Sequence, residues 1–190
     1  KNIEIDTTAP TVTNVTAAKT DGSYKADVVI PIQVVFSEAV TVDTSSGTPT
    51  LTLATGQNGG AGTALDYTSG SGSANLIFEY TVAAGDTSAD LDYVATDSLA
   101  LNGGTIKDTA GNNAVLTLAS PGAAGSLGNA KAFVIDGVKP TVSSVTSATA
   151  DGTKIIGDTV DVKVTFDEAV TVTGTPTLTL KTGPGGGDTT

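Results

Sequence analysis

An internal repeat restricts the possible folds of this chain more than any other feature of its 190 residues. Residues 5–42 align without a gap with residues 135–172, and 17 of the 38 aligned positions are identical. The heptapeptide GTPTLTL then occurs letter for letter at Gly47 and again at Gly174. Because self-similarity at a fixed period is the signature of repeated structural units, the sequence predicts tandem domains with a period of about 130 residues.

The alignment divides the chain into three parts. Residues 7–136 are predicted to form one complete repeat, and residues 137–190 the N-terminal part of a second, truncated repeat. Residues 1–6 are predicted to be the last strand of a preceding repeat, because residues 2–6 align with residues 132–136. We therefore expect the chain to begin and end inside a longer array.

Short β-branched runs separated by turn residues indicate an all-β fold. The runs are TVTNVTA, VVIPIQVVF, AVTV, TLTLAT, ANLIFEYTV and AVLTLA, and several of them alternate apolar residues with Thr or Ser. Seven or more short strands in a unit of roughly 130 residues predict an immunoglobulin-like antiparallel β-sandwich in each repeat. The Gly-rich tracts GQNGGAGT and SPGAAGSLGN are predicted to be loops, and no helical period is visible.

The residue types that are absent restrict the chemistry of the chain. Cys, Met, His and Trp do not occur, which excludes thiol nucleophiles, disulfides, Cys/His zinc sites and histidine general bases. The formal net charge of -11 repels phosphate backbones and attracts cations, so nucleic acid is not an expected partner. No apolar run reaches the ~18 residues of a membrane-spanning helix.

Oxygen-bearing side chains recur at the predicted junctions between repeats. Alternating strand directions bring Asp6, Glu38, Asp108 and Asn112 to the same end of the first sandwich, the last two within the stretch IKDTAGNN. Carboxylate and amide oxygens without His or Cys form the ligand set of a hard cation, and calcium accepts six to eight oxygens in flexible geometry. The four residues are therefore predicted to bind calcium, with magnesium less suitable because it requires tighter octahedral geometry.

The second repeat contains part of the same ligand set. The residues equivalent to Asp6 and Glu38 are Asp136 and Glu168, whereas the matching DxAGN loop would fall beyond Thr190. The second site is therefore predicted to be incomplete in this chain.

Simpler interpretations of these side chains remain open. Asp, Gly and Asn populate β-turns because of their own backbone preferences, so IKDTAGNN also fits an ordinary turn. Glu38 also fits a solvated strand end. For the carboxylates of GDTSADLDY, which are Asp86, Asp90 and Asp92, a solvated loop is favoured over a further ion site.

The segments IDTTAPTV, VVFSEAVTV, GTPTLTL, YTVAAGDTSADLDY, LNGGTIKDTAGN and AFVID, in this order, resemble one unit of the bacterial immunoglobulin-like repeats of large secreted surface proteins and adhesins. The resemblance covers nearly the whole chain. It implies an extender module at the bacterial cell surface, often with calcium at module junctions, whose partners are neighbouring repeats. By residue match it implies Asp6, Glu38, Asp108 and Asn112 as ligands. The second junction departs from the pattern, because DGVKP places the cation Lys139 beside the site and weaker binding is expected there.

Three functions fit the sequence to different degrees. The leading hypothesis is a non-catalytic extracellular stalk repeat of an adhesin or surface protein, with junctions rigidified by calcium. The alternative is a subunit of a filament or surface layer, in which a strand of one chain completes the sandwich of the next. A carbohydrate-binding or carbohydrate-active module would need only carboxylates for catalysis, but exposed aromatic rings for a sugar platform are not expected at an aromatic content of 4%. The chain is therefore not expected to be an enzyme.

Overall fold

The structure is a computed structural model that describes residues 5–181, and it divides into one unit that ends at Lys139 and another that begins at Pro140. Nearly all regular structure in the described residues is β, which confirms the prediction of an all-β chain. The predicted strand at residues 1–6 lies mostly outside the described residues. The first unit contains β1 (Val12–Ala17), β2 (Gly22–Lys25), β3 (Val29–Asp43), β4 (Thr50–Leu53), β5 (Thr63–Ser69), β6 (Ser73–Thr81), β7 (Thr87–Ser88), β8 (Leu99–Ala100), β9 (Thr105–Lys107), α1 (Leu127–Ala130) and β10 (Phe133–Asp136), with a 3₁₀ turn at Asn58–Gly60. The second unit contains β11 (Val142–Ser147) and β12 (Val162–Phe166).

Strand β3 organises the main sheet of the first unit. Its first half pairs antiparallel with β1 on one side and with β6 on the other, and its last three residues pair with β9. From β6 the sheet continues through β5 and β4 to β8. The register against β6 is irregular between Val35 and Val40, on either side of Glu38, and the pairing with β6 resumes at Val40, which lies opposite Ser73.

The sequence predicts two strands, VVIPIQVVF and AVTV, where the structure has the single 15-residue strand β3. The polar residues between the two runs do not interrupt the alternation of the strand. Phe36 and Val40 are buried and Glu38 is half-buried, and all three occupy alternate positions on one face. The alternation of side chains between the two faces of β3 therefore continues through Glu38, and its carboxylate lies on the same face as the core residues.

The prediction of a strand at AVLTLA is wrong. Within residues 114–119, Val115 forms only an isolated parallel bridge with Thr11. The buried Leu118 instead donates its backbone N–H to the carbonyl of Thr96, at 2.8 Å. An extended loop and a paired strand can both place alternate apolar residues against a core. The alternation in AVLTLA therefore did not distinguish a loop from a strand.

A second sheet has the order β2-β10-β7, and it departs from the predicted antiparallel arrangement. β10 runs antiparallel to β7 but parallel to β2, with Phe133 opposite Gly22 and Asp136 opposite Lys25. Parallel neighbours require a long connection. The 25-residue segment between β9 and β10 frees β10 from the direction that a tight hairpin would impose.

Helix α1 lies in that connection, inside the tract SPGAAGSLGN that the sequence predicts to be a loop. Ser126 caps the helix, because its side chain accepts the N–H of Asn129 at 3.2 Å. Leu127 at the start of the helix is fully buried. One capping residue and one apolar anchor are enough for a single turn, which is too short to show a helical period in the sequence.

The core of the first unit is one cluster that joins both sheets and α1. In β6 the alternate residues Leu76, Phe78 and Tyr80 are 0% exposed, and they pack with the buried side of β3. On the second sheet the ring of Phe133 meets that of Tyr24 edge-on, with 5.5 Å between ring centroids. The alternation predicted for these strands thus corresponds to burial on one face.

The strand pair of the second unit has the register of β1 and β3, offset by 130 positions. Val12 lies opposite Phe36 in the first unit, and Val142 lies opposite Phe166 in the second. An irregularity of register follows this pair in both units. The identical break at equivalent positions shows that the two segments form the same local structure.

A side-chain hydrogen bond recurs across the same pairs. Thr13 Oγ1 donates to the carbonyl of Val35 at 3.1 Å, and Ser143 Oγ donates to the carbonyl of Thr165 at 3.0 Å. The exposure of equivalent positions nevertheless differs between the units, because Val34 is buried and Val164 is exposed.

We expect Val34→Ala and Val164→Ala to have different effects, although the two valines occupy equivalent positions. Val34 is 0% exposed and Val164 is 37% exposed. Val34→Ala should lower the free energy of unfolding by about 2 kcal/mol, because it removes buried methyl groups and leaves a cavity. Val164→Ala should change it by less than about 0.5 kcal/mol. Urea unfolding followed by circular dichroism measures both, and equal losses would contradict the described burial.

Candidate metal centre

Three of the predicted ligands lie together in the structure. Asp6, Glu38 and Asp108 each offer one carboxylate oxygen, and these oxygens all lie within 4.8 Å of one another. Asp6 is exposed, Glu38 is half-buried and Asp108 is buried. We call these three residues the carboxylate cluster. Like charges at this separation repel one another, so the arrangement favours a bound cation or a shared proton.

The elements that carry the cluster explain why it forms. Glu38 lies on β3 within the irregular register against β6, between Val35 and Val40, and three residues before Thr41, where the pairing of β3 with β9 begins. Asp108 is the first residue after β9, so the pairing of β3 with β9 brings the two carboxylates to one place. Asp6 belongs to the segment that leads into β1, which is the other neighbour of β3.

The stretch around Asp108 is a turn, as its composition indicates. The N–H of Asp108 donates to the carbonyl of Asn112 at 3.1 Å, and Lys107 and Asn113 form an isolated antiparallel bridge at its base. Gly111 has a φ of 97°, which only glycine adopts without strain. The turn interpretation and the site interpretation are therefore compatible, because the turn presents the carboxylate.

Asn112 contacts the cluster through hydrogen-bond donors. Its backbone N–H donates to Asp108 Oδ1 and its Nδ2 donates to Asp108 Oδ2, both at 2.8 Å. Nδ2 also donates to the carbonyls of Asp6 at 3.2 Å and Thr8 at 3.3 Å. The sequence predicts Asn112 as an oxygen ligand, whereas in the structure it fixes the carboxylate of Asp108 and the segment before β1.

The segment before β1 is held at further points. The N–H of Thr8 donates to Asp6 Oδ1 at 2.9 Å, which forms a local turn. The N–H of Thr11 donates to Ser37 Oγ at 3.0 Å, and the N–H of Ser37 returns a bond to the carbonyl of Thr11 at 2.8 Å. These bonds fix the path of the segment beside Glu38.

The carboxylates of the cluster differ in their proton affinity. Burial raises the pKa of Glu38 above its ordinary value of 4.5, and the negative charges of Asp6 and Asp108 raise it further. Burial also acts to raise the pKa of Asp108, but hydrogen bonds from the Asn112 side chain and from the N–H groups of Asn112, Gly111 and Ala110 outweigh it, so this pKa lies below 3.8. Glu38 thus favours a proton or a cation nearby more than Asp108 does.

The residues predicted for the second site lie in different units. Asp136 ends β10 in the first unit, and its Oδ1 accepts the N–H of Val138 at 3.3 Å. Glu168 follows β12 in the second unit and is exposed. The site that the sequence predicts from this pair stays a prediction.

The interpretation of Asp86 as part of a solvated loop is wrong, because its side chain is 1% exposed. Asp86 Oδ2 accepts the Tyr80 O–H at 2.7 Å and the N–H of Ala83 at 2.8 Å, whereas the buried Oδ1 has no hydrogen-bond partner among the described residues. Burial raises the pKa of the Tyr80 hydroxyl, and its hydrogen bond to Asp86 raises this pKa further. The carbonyl of Asp86 also accepts the N–H of Gly137 at 2.7 Å, which fixes the chain directly after β10.

Asp92 is likewise buried rather than solvated, while Asp90 is exposed. The two oxygens of Asp92 accept the N–H groups of Tyr93 and Gly122, each at 2.9 Å. The alternation of LDY gave no signal for this burial, because flanking core residues Leu91 and Tyr93 would place Asp92 on the opposite face of an extended segment. A buried carboxylate is then expected to accept several backbone N–H groups.

Comparisons of the chain with protein-family models, with curated proteins and with solved structures found no match. Within residues 5–181, no helix has the length and apolar character needed to cross a membrane.

We expect Glu38→Gln to stabilise the chain at pH 7 in the presence of chelator. Since the folded-state pKa of Glu38 is raised, the folded chain binds this proton more tightly than the unfolded chain, and stability falls as pH rises from 4.5 through the folded-state pKa. Removing the charge removes this loss, so the melting temperature of Glu38→Gln should exceed that of the parent chain at pH 7. The difference should shrink below pH 4.5, where Glu38 of the parent is protonated.

The matched control is Glu79→Gln, which makes the same charge change at an exposed position of β6. It should leave the melting temperature nearly unchanged at both pH values. If Glu38→Gln has a lower melting temperature than Glu79→Gln at pH 7, the charge of Glu38 is not destabilising and the prediction is wrong.

Proposed function

We propose that this chain is a non-catalytic extender segment of an extracellular bacterial surface protein, built from immunoglobulin-like tandem repeats and stiffened by calcium. The observation that carries the proposal is the carboxylate cluster, in which Asp6 meets Glu38 and Asp108. Asp6 lies where the sequence alignment places the junction between repeats. A cation held there joins the linking segment to the body of the first unit.

The repeat organisation is supported by both sequence and structure. The 17 identities over residues 5–42 coincide with the equal registers of β1–β3 and β11–β12. A shared register irregularity at equivalent residues is not required by a generic hairpin, so common ancestry of the two segments explains it best. The order of two packed sheets in the first unit is compatible with a sandwich of immunoglobulin type.

The donor set fits calcium. The cluster consists of carboxylates alone, which are hard oxygen ligands, and calcium tolerates irregular geometry and completes its shell with backbone carbonyls and water. A divalent cation would remove the repulsion that raises the pKa of Glu38. Asn112, which already orients both oxygens of Asp108, would hold that ligand in place. Asp136 and Glu168 are proposed as the corresponding ligands at the next junction.

The alternative of a carbohydrate-binding or carbohydrate-active module has less support. The groove beside Asp108 is lined by Thr, Asp and Lys residues of β3, β9 and the turn, and none of its lining residues is aromatic. Tyr80, Tyr93, Phe78 and Phe133 are buried in the core, and the partly buried Tyr24 and Tyr67 pack against it. A sugar platform uses exposed rings, so these aromatic side chains contribute to the stability of the core instead.

We expect calcium to raise the melting temperature of the chain and Asp108→Asn to abolish most of that rise. A ligand that binds only the folded state stabilises it by RT ln(1 + [L]/Kd), which is roughly 2.7 kcal/mol at a hundredfold excess over Kd. Thermal melts in excess calcium, excess magnesium and excess chelator measure the effect. The shift should be larger in calcium than in magnesium.

Asp66→Asn is the matched control, because it makes the same change at an exposed position of β5 outside the cluster. It should retain the full calcium shift. Equal melting temperatures of the parent chain in calcium and in chelator would reject calcium at the cluster, and an equal loss in Asp66→Asn would assign the effect to net charge instead.

A further inference from the structure

The segment that follows β10 is docked on the turn that follows β6. Gly137 is buried, its N–H donates to the carbonyl of Asp86 at 2.7 Å, and its carbonyl accepts the N–H of Gly85 at 2.9 Å. These bonds extend the pairing of β10 with β7, in which Asp136 lies opposite Thr87, by one residue. The chain therefore stays attached to the first unit beyond the end of β10.

Gly137 occupies a position where no side chain fits. A Cβ atom there would lie against the carbonyl oxygen of Ala83, and it would lie 2.9 Å from the backbone N of Asp86 and 3.0 Å from its carbonyl oxygen. All three are backbone atoms of the turn, so a change of rotamer cannot relieve the contact. Docking in this form therefore requires glycine at position 137.

The turn that receives Gly137 is held in shape by a buried side chain. The N–H of Asp86 donates to the carbonyl of Ala83 at 3.1 Å, and Gly85 has a φ of 90°, the positive φ that a type II turn requires at its third residue. Asp86 Oδ2 also accepts the N–H of Ala83 at 2.8 Å and the hydroxyl of Tyr80 at 2.7 Å. Because Tyr80 is a core residue of β6, Asp86 ties the turn to the central sheet.

The two junction sequences differ at the position of this glycine. The chain reads DTTAP before β1 and DGVKP after β10, so Thr7 aligns with Gly137. The local turn is common to both segments, because the Asp of each accepts the N–H two residues later, at 2.9 Å in the first and 3.3 Å in the second. Of the two segments, DGVKP alone carries the residue that the turn after β6 can accommodate.

We infer that Gly137 determines which junction segment can dock on residues 83–86, and that Asp86 positions the turn that receives it. A segment of the DTTAP type is excluded, since its Thr would meet the carbonyl of Ala83. This anchor goes beyond the proposed function, because it needs no metal and uses only contacts within the first unit. It holds a junction segment to the unit that the segment leaves, whereas a cation at the carboxylate cluster would hold Asp6 to the unit that it enters.

Amide hydrogen exchange of the isotope-labelled full chain in excess chelator tests the anchor. In the parent chain, the N–H groups of Gly85 and Gly137 should exchange much more slowly than in an unfolded peptide. In Gly137→Thr, the N–H of Gly85 should exchange at least about tenfold faster because it loses its acceptor, while the amides of β6 keep their rates. The matched control is Val138→Thr, which places the same residue at the next position, where the side chain is 50% exposed. It should leave the rate at Gly85 unchanged.

A second pair of variants tests the positioning role of Asp86. Asp86→Ala removes both hydrogen bonds of Oδ2, so the N–H of Gly137 should exchange several-fold faster. Asp86→Asn retains a carbonyl oxygen that can accept both donors, and the rate at Gly137 should stay close to that of the parent. Rescue by Asn would show that the hydrogen bonds, rather than the charge, hold the turn.

Three results would overturn the inference. The first is an unchanged rate at Gly85 in Gly137→Thr, and the second is an equal acceleration of the β6 amides, which would assign Gly137 to global stability. The third is exchange of Gly85 and Gly137 in the parent chain at the rate of an unfolded peptide. This last measurement, together with the Asp86 pair, decides the question if Gly137→Thr does not fold.

The outcome is separable from that of the proposed function, because exchange is measured in chelator and the calcium response is measured by thermal melts. Loss of the anchor with an intact calcium shift would remove this inference alone. A confirmed anchor without any calcium shift would retain it and reject calcium at the carboxylate cluster.

Discussion

The backbone pairing of β3 with three other strands is the interaction on which the first unit depends. It holds β1 and β6 on either side of its first half and β9 beside its last residues. The buried face of β3 contributes the centre of the core, and the pairing of its last residues with β9 places Asp108 beside Glu38. The same strand therefore forms much of the apolar core and, through its pairing with β9, brings the carboxylates of Glu38 and Asp108 together.

The cluster illustrates how a protein can hold like charges close together. Backbone pairing of β3 and β9 brings Glu38 and Asp108 together regardless of charge. Asn112 lowers the proton affinity of Asp108 through donated hydrogen bonds, whereas Glu38 experiences the repulsion of its neighbours. Of these two carboxylates, Glu38 is therefore the one whose charge a bound cation would stabilise more.

Periodicity and repeats predicted much of the fold and the meeting of three carboxylates. Long alternating runs such as ANLIFEYTV became strands because burial on one face requires that alternation. The two-residue strands β7 and β8 were not predictable, since two residues carry no period. The parallel neighbour of β10 depends on the path of a long connection, and the burial of Asp86 depends on Tyr80 reaching it through space. Nor does the sequence tell whether Asn112 presents its oxygen or its N–H groups to the cluster, because its amide offers both.

The hydrogen bonds at the two ends of the first unit have a mechanical consequence. Asn112 holds the carbonyls of Asp6 and Thr8 before β1, and Asp86 holds the N–H of Gly137 after β10. Tension applied along the chain from either side reaches these bonds before it reaches the ladders of the sheets. Each end of the first unit is thus hydrogen-bonded to a turn of the same unit. An applied force must break these local hydrogen bonds before it can separate a strand from the core.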